Sequence, residues 1–150
     1  MIRSHRLHSL LQVAEAQEQQ AARGLGEAQR LFQQQQQQLE EMHRYREEYA
    51  QHFQTVGRNG VGVQQLQQLQ SFLTQLDRAI GQQKQRLQQY LQQLEQTRNG
   101  WLEARSQVKA LSKLEDRVRQ EERCLAAHRE QAEVDDRHQH CFKTEDGGKF

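Results

Sequence analysis

The chain has 150 residues, only 34% of them hydrophobic, and contains no proline. Gln is its commonest residue, a profile of long helices or coiled coils that excludes a sizeable globular core. With 21 basic and 20 acidic residues, no whole-chain field draws it to nucleic acid or anionic lipid.

No apolar run approaches the roughly 18 residues that span a bilayer, and the start, Met1-Ile2-Arg3-Ser4-His5-Arg6, lacks the apolar stretch of a secretory signal. The expected location is therefore the cytosol, without direct membrane insertion. Cys124 and Cys141 are expected to be reduced thiols.

The first element is a helix over about residues 4–56. Steps of four and three from Leu7 pass through Leu11, Ala14, Glu18, Ala21, Leu25, Ala28, Phe32, Gln35, Leu39, Met42, Arg46, Tyr49, Phe53 and Val56. All but Glu18, Gln35 and Arg46 are apolar or aromatic, the pattern of a helix packed along its length on another. The run Gln33 to Gln38 has the composition of disorder, but Phe32 and Leu39 flank it in phase, so helix is expected through it. Residues 57–62, Gly-Arg-Asn-Gly-Val-Gly, form the turn.

After the turn, a second helix is expected over about residues 63–137. The same stepping runs through Leu66, Leu69, Leu73, Leu76, Ile80, Gln83, Leu87, Tyr90, Leu94, Thr97, Trp101, Ala104, Val108, Leu111, Glu115, Val118, Glu122 and Leu125. Asn99-Gly100 would signal a hairpin between strands, but no alternating pattern flanks it, and helix is the better reading. Residues 138–150 lack periodicity and read as a flexible tail. The fold class is all-α, a long antiparallel two-helix coiled-coil hairpin forming one domain. Folding at the glycines pairs Leu7 with residues near Leu111 and Lys113, and leaves the chain from about Asp116 onward without an intrachain partner.

Little in the chain suggests catalysis. His138-Gln139-His140-Cys141 is the densest set of metal-type ligands, but it sits in the expected tail and reads as a solvated terminus, so no metal or cofactor is expected. No phosphate loop and no nucleophile with a base at recognisable spacing occurs, and a two-helix rod lacks a concave pocket. The chain is expected not to be an enzyme.

Two surfaces stand out instead. Tyr45 and Phe72 each lie one residue off the seam and meet at one level, beside Met42, Tyr49, Leu76 and Ala79, with Arg46 and Gln83 close by. Contact surfaces favour Tyr, Phe, Met and Arg, so this reads as a protein-binding patch. At the open end, Arg3 and Arg6 join Lys109 and Lys113, a group suited to a polar or acidic socket. The in-phase Val118 and Leu125 on the unpartnered helix end are best explained by burial in a partner.

The segments Tyr45-Arg46-Glu47-Glu48-Tyr49, Phe72-Leu73-Thr74-Gln75-Leu76-Asp77-Arg78-Ala79-Ile80 and Arg98-Asn99-Gly100-Trp101, at these separations around a glycine turn, resemble the FliJ proteins of the flagellar type III export apparatus. The resemblance covers nearly the whole chain, and departs from the family chiefly in its Gln enrichment. It implies a coiled coil similar to the central stalk of rotary ATP synthases. It also implies three partners: a hexameric export ATPase, the cytoplasmic domain of the membrane-embedded export gate, and export chaperones. Carried onto this sequence, gate binding falls to Met42, Tyr45, Tyr49, Phe72, Leu76, Ala79 and Gln83. Insertion into the ATPase ring falls to Arg3, Arg6, Leu7, Lys109, Lys113, Arg117, Val118 and Leu125. The implied location is cytoplasmic, peripherally associated with the inner membrane. A passive structural coiled coil that dimerises or spaces other proteins is the alternative reading.

Overall fold

Two helices account for the structure, a computed structural model that describes residues 2–60 and 62–146, with side chains as far as residue 137. Helix α1 spans Ile2–Arg58 and helix α2 spans Val63–Asp146, packed on each other as an all-α helical hairpin without strands among the described residues. The helix runs unbroken through Gln33 to Gln38 and through Asn99-Gly100, as the in-phase apolar residues on either side require. α2 continues past the expected end near residue 137. Neither glycine nor proline occurs between Gly100 and Gly147 to stop it. Residues 147–150 of the expected tail lie outside the described residues.

The chain divides into two compact units, Met1–Glu18 with Ala104–Phe150, and Gln19–Glu103. The second unit holds the turn. α1 ends with Asn59 N–H donating to the Thr55 carbonyl at 3.2 Å, and Gly60 follows at φ 74°, a left-handed conformation that a side chain would strain. The Gly62 carbonyl then accepts from Gln65 N–H at 3.1 Å and opens α2. Away from the turn, the seam of this unit is closed by Ala28 and Ile80, both buried, and by half-buried Phe32, Leu39, Leu73, Leu87 and Leu94. At Gly24 the helices come close: a Cβ there would meet Thr97 Cγ2 at 3.8 Å.

The seam of the first unit is built from Leu11, Ala14 and Val118, which are buried, with Leu7, Ala104, Val108 and Leu111 half-buried. Its pairing differs from the expected one. His8 Nδ1 lies 3.1 Å from Glu115 Oε1, and Ser4 N–H donates to Glu122 Oε1 at 3.4 Å, so residues 115–122 are partnered rather than overhanging. The reason is polar. Ser4 carries one of the first-turn amides that no helix can satisfy internally, and a carboxylate there also meets the positive end of the helix dipole. Glu115, 5% exposed, further takes an ion pair from Arg119 at 2.6 Å. Only from about Leu125, 59% exposed, does α2 run beyond the cover of α1.

Candidate functional site

In the second unit, Tyr45, Tyr49 and Phe72 form one cluster of three rings. Tyr45 and Tyr49 share a helix face four residues apart, with centroids 4.8 Å apart. Phe72, from α2, packs against Tyr49 at 4.7 Å and edge-on to Tyr45 at 6.3 Å. The Tyr45 hydroxyl donates to that of Tyr49 at 3.2 Å. That bond, then the charge Tyr49 would carry, raises the Tyr45 pKa above its ordinary value, so the Tyr45 phenol stays protonated as a donor. Tyr45 remains 45% exposed, while Tyr49 and Phe72 are half-buried.

One turn along, Arg46 Nε donates to Asp77 Oδ1 at 2.5 Å across the two helices. The guanidinium's hydrogen bond holds the Asp77 carboxyl below its ordinary range. Met42, Leu76 and Ala79, on the same stretches of the two helices, are half-buried. The cluster is a shallow amphipathic surface, apolar in the middle with phenol hydroxyls and an ion pair at its rim. That composition suits protein contact rather than chemistry on a small molecule.

Gln83 departs from this picture. It is 4% exposed, and its amide donates to Gln35 Oε1 at 2.8 Å and to the Gln35 carbonyl at 3.2 Å, so it lies in the seam and not on the patch. The in-phase positions that carry polar residues explain this. A buried amide needs partners, and Gln35 is the seam residue opposite. The same logic pairs Glu115 with His8. Sequence reading could have found the Gln35–Gln83 pair by matching the polar interruptions of the two heptad runs to each other, but not the partner of Glu115, since His8 lies one residue off the seam.

At the other set of expected residues, Arg3, Arg6, Lys109, Lys113 and Arg117 are all exposed, Leu7 is half-buried, and Leu125 is exposed. Val118, expected on an overhanging end, is instead buried at 3% exposure, because the first turns of α1 reach across it. Among the described residues, no group of three or more His, Cys, Asp or Glu is placed to hold a metal ion. The side chains of His138, His140 and Cys141 lie outside the described residues. No helix among the described residues is long and apolar enough to cross a membrane.

No curated protein and no solved structure matches the chain significantly. The family described as "Flagellar FliJ protein" matches residues 3–147. That span includes both helices almost from end to end, the ring cluster and the exposed basic residues alike. The chain therefore belongs to the FliJ family and has a role related to flagellar export.

Proposed function

We propose that this chain is a stalk-like component of flagellar protein export that inserts its open end into the export ATPase ring, promotes ring assembly, and couples the ring to the export gate. The observation that carries the reading is the family match over residues 3–147. Two features are consistent with it. The partly exposed Tyr45, Tyr49 and Phe72 cluster, with Met42, Leu76 and Ala79, offers an anchor for the cytoplasmic domain of the gate. The exposed Arg3, Arg6, Lys109, Lys113 and Arg117, with Leu125 beyond the end of α1, offer a basic tip for acidic or carbonyl groups in the ring.

In this reading the chain has no catalytic activity of its own, also escorts export chaperones, and works in the cytoplasm at the inner membrane through its partners. The decisive measurement is ATPase activity and ring assembly with the full chain, with Lys109→Glu/Lys113→Glu, and with a form ending after Cys124 that lacks Leu125 and the helix beyond it, at low and high salt. Full stimulation by both altered forms removes the insertion reading. Salt-sensitive loss supports it, since contacts between partly exposed charges are screened. Gate binding is tested separately with Tyr45→Ala. Unchanged affinity there removes the patch from the gate contact.

A further inference from the structure

In the first unit, the two flanks of the helix pair differ sharply. Residues immediately after seam positions are polar: His8 and Gln12 follow Leu7 and Leu11, while Ser112, Asp116 and Arg119 follow Leu111, Glu115 and Val118. At four neighbouring positions the residues immediately before them are apolar: Leu10 and Val13 precede Leu11 and Ala14, while Ala110 and Leu114 precede Leu111 and Glu115; beyond these the flank is polar, with Gln17, Glu103, Gln107 and Glu121 in the corresponding places. Both helices are right-handed and run in opposite directions, so stepping one residue back from the seam leads to the same side of the pair on each. The His8–Glu115 contact sets the level and brings Leu10 beside Leu114, with Val13 beside Ala110.

Leu10 is 55% exposed, Val13 57% and Leu114 38%, so one side of this unit carries an apolar strip that neither helix covers. One turn toward the chain ends, the same flank changes character. Arg6 precedes Leu7 and Arg117 precedes Val118, and the contacts at Ser4–Glu122 and His8–Glu115 bracket these two arginines at one level. Both are exposed, and neither has an ion pair among the described residues.

We propose that this flank is a docking groove for a third helix, supplied by a partner protein, that lays an apolar stripe on Leu10, Val13 and Leu114 and presents carboxylates to Arg6 and Arg117. Two helices with apolar residues on one shared flank form the open side of a three-helix arrangement, which an amphipathic helix fills with residues spaced three and four apart. The arginine pair selects its charge and direction. Arginine holds carboxylates in a two-pronged geometry, and two at one level accept an acidic turn while repelling a basic one. The groove is lateral, so it differs from the insertion of the tip into the ring, although Arg6 and Arg117 belong to both readings.

The test is fluorescence anisotropy with the full chain and three synthetic probes of about 21 residues, three heptads each. One is an amphipathic helix with a leucine stripe and glutamates beside it, the second carries lysines in place of the glutamates, and the third is a scramble of the first. The acidic helix should bind saturably, and the other two at least about tenfold more weakly. Leu10→Gln/Leu114→Gln should weaken acidic-helix binding about tenfold or more, with melting and helicity kept. Leu10→Gln alone gives a milder form if the pair is damaged. Arg6→Glu/Arg117→Glu should transfer the preference to the lysine helix. Equal binding of the scramble, indifference to Leu10→Gln, or no charge reversal overturns the proposal. So does Leu10-dependent self-association in sedimentation without any probe, or a preference for anionic vesicles over the acidic helix. ATPase stimulation by Leu10→Gln, measured alongside, reports on ring insertion independently of this groove.

Discussion

Replacing Phe72 by Ala separates the part of the ring cluster that holds the helices together from the part that faces a partner. Phe72 is half-buried and packs on Tyr49 at 4.7 Å from the opposite helix. Fully burying a large apolar side chain is worth about 1.5–3 kcal/mol, so half of that is lost with the ring. An aromatic pair adds about 0.5–1.5 kcal/mol beyond area. Phe72→Ala should therefore cost about 1.5–3 kcal/mol, which for a chain of this size lowers the melting midpoint by several degrees, about 2–4 °C per kcal/mol. The assay is urea and thermal unfolding followed by circular dichroism. A cycle with Tyr49→Ala should return a coupling of about 0.5–1.5 kcal/mol. Tyr45→Phe, which removes only the hydroxyl bond at an exposed ring, should leave melting nearly unchanged. Had Phe72 been a purely external residue, as its place one step off the seam suggests, its loss would leave stability within about 0.5 kcal/mol of wild type. That result, with no coupling to Tyr49, would refute the clustered geometry.

Gln83→Ala should destabilise by about 1–3 kcal/mol, through lost hydrogen bonds and an underfilled seam, whereas Gln83→Leu combined with Gln35→Leu, which removes both partners, should be neutral or stabilising; urea titration of both variants decides. Gly100→Ala should stabilise by about 0.5–1 kcal/mol, because a Cβ there meets nothing within 4 Å, while Gly60→Ala should destabilise by about 1–2 kcal/mol at its positive φ; paired thermal melts read both. The Asp77 carboxyl is held below its ordinary pKa by Arg46, so its contribution is full above the unfolded value and is lost as pH falls through the lower folded one. Asp77→Asn should therefore narrow the stability difference between pH 7 and about pH 3, a small effect at an exposed pair that high salt should shrink further.

Composition and periodicity alone determined that the chain is two long helices and where the turn between them falls, though not how far the second helix runs. Apolar residues every three to four positions leave only one way to bury a stripe, and glycines without a Cβ mark where the chain reverses. The same pattern identified Tyr45, Tyr49 and Phe72 as neighbours, since a hairpin register carries one helix's numbering onto the other. What periodicity could not decide was the fate of the polar residues within the stripe. Gln83 reads equally as part of a binding patch or as a buried amide, and only the placement of Gln35 opposite it selects the second. Val118 and Glu122 read as part of a free helix end until His8 is seen to meet Glu115 and the first-turn amide of Ser4 to meet Glu122. Hydrophobic spacing specifies which face is buried but is nearly indifferent to sliding by one turn; directional hydrogen bonds and charges, whose partners lie more than a hundred residues away in the first unit, resolve that choice only once the helices are side by side.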